Sequence, residues 1–179
     1  PGVDSVLTRN AEAFEAIVLH LAARGYTRIG HISGPLTTPT AQERLEGYRR
    51  GLKLAKLPFK KIWQREGTYR AGSAGGLALE LAQVNTPPDA LVIANDLMAI
   101  EAILALQDAG IRVPDDLAIV GCDDTPEGVV VRPRLTTIRR PGMRAAQAAM
   151  KLLLERMLGF QGASRTVWLE AEVVIRESA

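Results

Sequence analysis

Four side chains stand where chemistry is easily assembled: Arg44, Tyr69, Asn95 and Asp123. Asn95 follows the apolar run 90–94, and Asp123 follows the apolar run 117–122. Tyr69 follows Glu66-Gly67-Thr68 at the end of a shorter run, and Arg44 lies just inside a helix expected from Thr40. An arginine and an aspartate can fork onto adjacent hydroxyls, an asparagine offers donor and acceptor together, and an aromatic ring supplies a flat apolar face. The set suits the binding of a polyhydroxylated or polar small molecule. Each member also has a plainer reading. Arg44 can be a solvated helix arginine, Tyr69 a hydrophobe covering a loop, and Asp123 a turn residue. Asp96, first in the next helix, reads as its N-cap; that leaves Asn95 free for a ligand.

Other chemistries find no support. There is no G-x-S-x-G, no G-x-x-x-x-G-K and no G-x-G-x-x-G. His20 falls in a helix pattern and His31 inside an apolar strand, so both read as structural. With two histidines and one cysteine, Cys122, neither a zinc site nor an internal disulfide is expected. No nucleophile–base pair is in evidence, so neither an enzyme nor a metal or other cofactor is expected.

The elements that must position these residues alternate. Residues 10–24 carry a helical stripe of Phe14, Ile17, Val18 and Leu21, closed by Gly25. Residues 28–33 read as a strand. A helix follows from Thr40, with Glu43 completing a capping box, to about Leu57 before Pro58. Residues 62–66 read as a strand, 70–84 as a helix, 90–94 as a strand and 97–109 as a helix. Residues 117–122 and 135–138 are strands, 141–158 is a helix, and 165–176 hold one or two final strands. Helices alternating with wholly apolar strands indicate a doubly wound, mainly parallel α/β sheet covered on both faces. Such a sheet binds ligands outside the carboxyl ends of its strands, where all four candidates fall.

Length and composition agree with one domain or a domain and a half: 179 residues, 47% hydrophobic and 23% charged. A net charge of +2 is too small for a strong nucleic-acid field, and 4% aromatics are too few for a base-stacking platform. No segment reaches the roughly 18 consecutive apolar residues of a membrane span. The opening PGVDSVLTRN has neither an initiator Met nor a signal pattern, and we read the chain as a piece of a longer one.

The segments HLAARGYTRIGHISGP (20–35), RLEGYRRGL (44–52), DALVIANDLMAIEAILALQDAGIRVPDDLAIVGCDD (89–124), PRLTTIRRP (133–141) and VVIRES (173–178) are familiar in this order and spacing. They resemble the effector-binding core of the LacI/GalR family of bacterial transcription regulators. The resemblance implies a two-lobed, periplasmic-binding-protein-like or flavodoxin-like fold, truncated here, with effector held between the lobes. It implies effector contacts at Arg44, Asn95 and Asp123 and an aromatic at Tyr69. Residues 1–138 would form the carboxy-proximal lobe, 139–170 a crossover belonging to the absent amino-proximal lobe, and 171–179 a return strand. Operator DNA would be read only by an absent N-terminal helix-turn-helix. Arg9 and Arg140 depart from the family pattern and would favour an acidic effector or alter the hinge.

Three readings compete. The first is the sensing module of a cytoplasmic regulator, responding to a sugar or related metabolite. The second is an extracytoplasmic sugar receptor of the same fold, and the third an α/β enzyme. The segment VPDDLAIVGCDD (113–124) looks like the regulator branch. A homodimer is expected through Val129, Val130 and Val131 in a loop and Ile100, Ile103 and Leu104 on the neighbouring helix. The helix 141–158 carries an apolar face of Met143, Met150, Leu153, Leu154 and Met157 that would lack its partner lobe. It should dock on its own lobe, swap to another chain, or be mobile.

Overall fold

A computed structural model of the chain describes residues 2–179 and contains two sheets. The larger has six strands in the order β3(Gln64–Glu66), β2(Ile29–Ser33), β4(Ala90–Ile93), β5(Ala118–Asp123), β6(Thr136–Arg139) and β8(Glu172–Val174). The first five run parallel and β8 is antiparallel to β6. Counted within this sheet, the parallel strands follow the 2-1-3-4-5 order of flavodoxin-like folds, whose order reverses between β2 and β4.

The apolar strands are buried on both faces and divide by alternation. Ala90, Val92, Ala118 and Val120 face one core with Phe14 and Tyr48 from α1(Asn10–Ala23) and α2(Pro39–Leu54). Leu91, Ile93 and Ile119 face the other core with Leu81 from α3(Gly75–Ala82) and Met98 and Ile103 from α4(Asp96–Asp108). The helices α1 and α2 touch closely at Gly47, where a Cβ would stand 2.1 Å from the Ala11 carbonyl oxygen.

Several boundaries differ from the sequence expectation. Thr38, not Thr40, caps α2, its hydroxyl accepting from the Ala41 amide at 3.4 Å, and Pro39 takes the first turn. The helix expected over 70–84 starts at Gly75. The Glu101 carboxylate of α4 accepts from the amides of Gly72, Ser73 and Ala74, holding 72–74 as a turn before the helix. Residues 127–130, expected as loop, form a single helical turn, α5(Glu127–Val130).

The smaller sheet pairs β1(Ser5–Thr8) in parallel with β7(Thr166–Leu169). Residues 5–8 therefore lie in the small sheet, away from the strands grouped with them as 1–138. The helix α6(Gly142–Met157) rests on β1 and β7 and buries Leu152. Asp4 ties this unit together, accepting from Arg156 at 2.9 Å and from the Arg165 amide at 2.7 Å. Met143, Met150, Leu153, Leu154 and Met157 remain exposed. The helix thus docks on neither face of the six-stranded sheet.

Candidate functional site

The parallel strands bring their carboxyl ends to one edge, and the four predicted residues all lie along it. Asn95 follows β4 directly and is 9% exposed. Its Oδ1 accepts from the Met98 amide at 3.1 Å, so Asn95 is the N-cap of α4. Its Nδ2 donates to the Tyr69 carbonyl at 3.2 Å. The cap expected of Asp96 thus falls to Asn95. Asp96 is fully buried, accepting from the Thr125 amide at 2.8 Å and from the Thr137 hydroxyl at 2.5 Å. Burial pushes its carboxyl above the usual range, against the pull of those two hydrogen bonds. The cap fell to Asn95 because its extended backbone precedes the first helical turn, whereas Asp96 is already inside it.

Arg44 is buried, at 3% exposure, rather than a solvated helix arginine. Its Nη1 donates to the Ala94 carbonyl at the end of β4, and its Nε donates to Asn10 Oδ1 at 3.4 Å. Its guanidinium carbon lies 5.5 Å from the Phe14 ring centre and 5.8 Å from that of Tyr69. Arg44 therefore ties α2 to the end of β4 and to the start of α1. Tyr69 adopts the left-handed backbone region at φ +64. Its ring covers Gly34, where a Cβ would stand 2.0 Å from the ring, so only glycine fits beneath it. Burial raises the Tyr69 hydroxyl pKa, opposed by the Arg44 charge.

Asp123 ends β5 at φ +136, a strained conformation for any residue but glycine. Its Oδ1 accepts from Arg140 at 3.4 Å. It opens onto a cavity of about 240 Å³ lined by Thr8, Arg140, Pro141, Gly142 and Ala145. These residues come from β1, the turn after β6 and the start of α6; Arg44, Tyr69 and Asn95 line the edge beside it instead. Asp124 points elsewhere, clamped by Arg139 at 2.6 Å and by Arg176. Burial pushes the Cys122 thiol up to about 12, and the charges acting on it are Arg44, Asp123, Asp96 and Arg140. At neutral pH the thiol is protonated and buried.

Asn10, at the start of α1, was missed by sequence reading. Here it links Arg44 to Glu43, donating to Glu43 Oε2 at 2.8 Å. Arg9 pairs with Glu170 at 2.9 Å, and Arg140 with Asp123 at 3.4 Å. The two cations singled out for an acidic effector both have carboxylate partners within the chain. Of the expected interface residues, Ile103 is fully buried in the α4 core and offers no surface. Ile100 and Val131 are half-buried, while Leu104, Val129 and Val130 are exposed.

The arrangement offers hydrogen-bond donors, acceptors and an aromatic face at one sheet edge. Among the described residues no helix is long and apolar enough to cross a membrane. Residues 18–179 match the model of the periplasmic binding protein-like domain. The chain is 34% identical over 178 residues to the HTH-type transcriptional repressor PurR of Aliivibrio salmonicida, covering 99% of itself and 54% of that protein. It superposes with a TM-score of 0.93 at 29% identity on the transcriptional regulator CelR in complex with cellobiose, covering 99% of itself and 54% of that chain. On the Lac repressor bound to ONPG in its repressed state the TM-score is 0.89 at 29% identity, with coverages of 99% and 53%. The chain spans about half the length of these relatives. On this match the chain belongs to the periplasmic binding protein-like domain family, in the form that LacI-type transcriptional regulators carry.

Proposed function

We propose that these residues form the small-molecule-sensing and dimerisation module of a DNA-binding transcriptional regulator acting in the cytoplasm. We take its effector to be a sugar or a related polar metabolite. The observation that carries this reading is the convergence of Arg44, Tyr69 and Asn95 on the β2/β4 switch point, with Asp123 at the end of the next strand. Asp123 accepts from ligand hydroxyls, Arg44 supplies its remaining guanidinium protons, and Asn95 supplies its second amide proton. Tyr69 offers its ring as a wall. The complex of CelR with cellobiose, a relative with the same fold, supports a carbohydrate.

Regulation follows from differential affinity: an effector that prefers one arrangement of the large and small units shifts the population toward it. Operator DNA is contacted by a part of the regulator outside these residues. Two copies associate through Leu104, Val129 and Val130, with Ile100 and Val131 beneath them. The test is calorimetric titration with monosaccharides, cellobiose and nucleobases against the wild type and Asp123→Ala. A sugar should bind, and the variant should lose about tenfold to a hundredfold in affinity. Binding confined to the nucleobases, or equal binding by both proteins, would overturn the effector assignment.

A further inference from the structure

Residues 47–65 carry seven cations and no carboxylate. The rest of the chain holds 15 of the 22 cations against all 20 carboxylates, so this segment alone makes the chain net positive. Two of the seven are paired, Arg50 with Glu15 at 2.6 Å and Arg65 with Glu80 at 3.0 Å. Arg49, Lys53, Lys56, Lys60 and Lys61 are in no ion pair among the described residues. Glu46 and Glu66 bound the run on either side, and the Glu66 carboxylate already accepts from the Leu36 amide at 3.1 Å.

The five free cations share one surface. The helix α2 leaves the carboxyl end of β2 and returns the chain to the amino end of the parallel strand β3. Its last turn and residues 55–63 therefore lie at the sheet edge opposite the effector site. The Trp63 indole donates to the Thr86 carbonyl at 2.8 Å and fixes the segment there. Arg49 and Lys53 stand four residues apart on one face of α2. The Arg49 guanidinium carbon lies 4.9 Å from the Phe59 ring centre, and Lys60 Nζ lies 4.7 Å from that of Trp63. Helix face and following loop are thus joined through cation–ring contacts. Phe59 and Ile62 are 44% and 55% exposed among these charges. Lys53 complements the carbonyl end of α2, but Lys60 and Lys61 lie outside that turn.

We propose that this surface docks an acidic segment of another protein, one in which leucine or phenylalanine side chains interrupt a run of carboxylates. Clustered cations of one sign attract anions together, and Phe59 and Ile62 require apolar cover in the same place. A nucleic-acid backbone answers the charge but brings no apolar group to Phe59 and Ile62. Residues 47–63 also hold no Asn, Gln, Ser or Thr to read base edges. An anionic bilayer needs apolar side chains that project past the cations, whereas the Phe59 ring lies against Arg49 and Trp63 is buried. An acidic peptide with apolar interruptions meets both demands. Docking at this edge leaves the effector edge open, so both ligands can be held at once.

The test is fluorescence anisotropy of a labelled synthetic peptide, glutamates and aspartates interrupted by leucine and phenylalanine, titrated with the chain. The same peptide with serine at the apolar positions and a duplex DNA of arbitrary sequence are titrated alongside, and phosphatidylserine vesicles are tested by co-sedimentation. The expected result is saturable binding of the first peptide with Kd of roughly 1–100 μM at low salt, weakening as salt is added. Lys60→Glu combined with Lys61→Glu should weaken it by about tenfold or more; Lys53→Glu takes their place if that variant does not fold. Arg144→Glu combined with Lys151→Glu makes the same charge change on the exposed side of α6 and should leave the Kd unmoved. No saturable binding, an equal loss in the α6 control, an unchanged Kd in the Lys60 and Lys61 variant, or equal affinity for the serine peptide overturns the proposal. Tighter binding of the DNA or the vesicles than of the peptide overturns it too.

Discussion

Asn95 Nδ2 donates to the Tyr69 carbonyl at 3.2 Å, so the residue that caps α4 also fixes the loop after β3. A single amide thereby couples helix stability to the placement of the ring that walls the candidate site. Removing it with Asn95→Ala should cost about 1 kcal/mol for the cap and about 1 kcal/mol for the Tyr69 bond. Asn95→Asp keeps an oxygen for the Met98 amide and should cost less. Both variants should weaken effector binding, since both release Tyr69. Urea unfolding of the three proteins checks the order, and coincident midpoints would remove Asn95 as the cap.

Asp123 holds a backbone conformation suited to glycine. Asp123→Gly should relieve that strain and raise stability by about 1 kcal/mol, while abolishing the carboxylate's contact with ligand. Thermal unfolding and calorimetry on the same preparation separate the two effects. A variant that is less stable yet binds normally would show that Asp123 serves the fold alone.

The buried histidine makes stability depend on acidity. His31 titrates near 4 in the folded chain against 6.5 in the unfolded one. The unfolded state therefore binds more protons between these values, and stability falls as pH drops from 6.5 toward 4. A shift of that size corresponds to about 3 kcal/mol when the window is crossed completely. Burial lowers the His20 pKa too and contributes with the same sign. His31→Phe should flatten most of this slope, and an unchanged slope in denaturant midpoints from pH 7 to 4 would contradict the assignment.

Leu104, Val129 and Val130 form the apolar surface left after Ile103 is assigned to the core. Val130→Glu, at a side chain 77% exposed, should leave unfolding within about 0.5 kcal/mol of wild type. It should lower the self-association constant by about tenfold or more. Sedimentation velocity across a concentration series checks this, and a wild type that stays monomeric throughout would refute the interface.

The sheet and the edge carrying the candidate residues were legible because buried parallel strands are wholly apolar and end in polar residues. Val92 and Ile93 show the pattern, one facing each core. The tasks of Asn95 and Asp96 were not legible, because sequence spacing does not show which of two adjacent polar residues lies outside the first helical turn. Burial of Ile103 was hidden for a related reason. Its helix is apolar around much of its circumference, so periodicity could not separate the core face from the outer one. The role of Asn10 depends on Arg44, 34 residues away, and local pattern carries no trace of such a contact.

The backbone passes between the two sheets three times: between β1 and α1, between β6 and α6, and between β7 and β8. These passages lie side by side, since Arg9 N donates to the Leu169 carbonyl at 3.0 Å and Arg139 is paired with Glu172. Three adjacent covalent tethers permit bending across their common line and resist twisting. They also mean that one proteolytic nick cannot free the small unit, and that a pulling force applied across the junction is shared among three backbones.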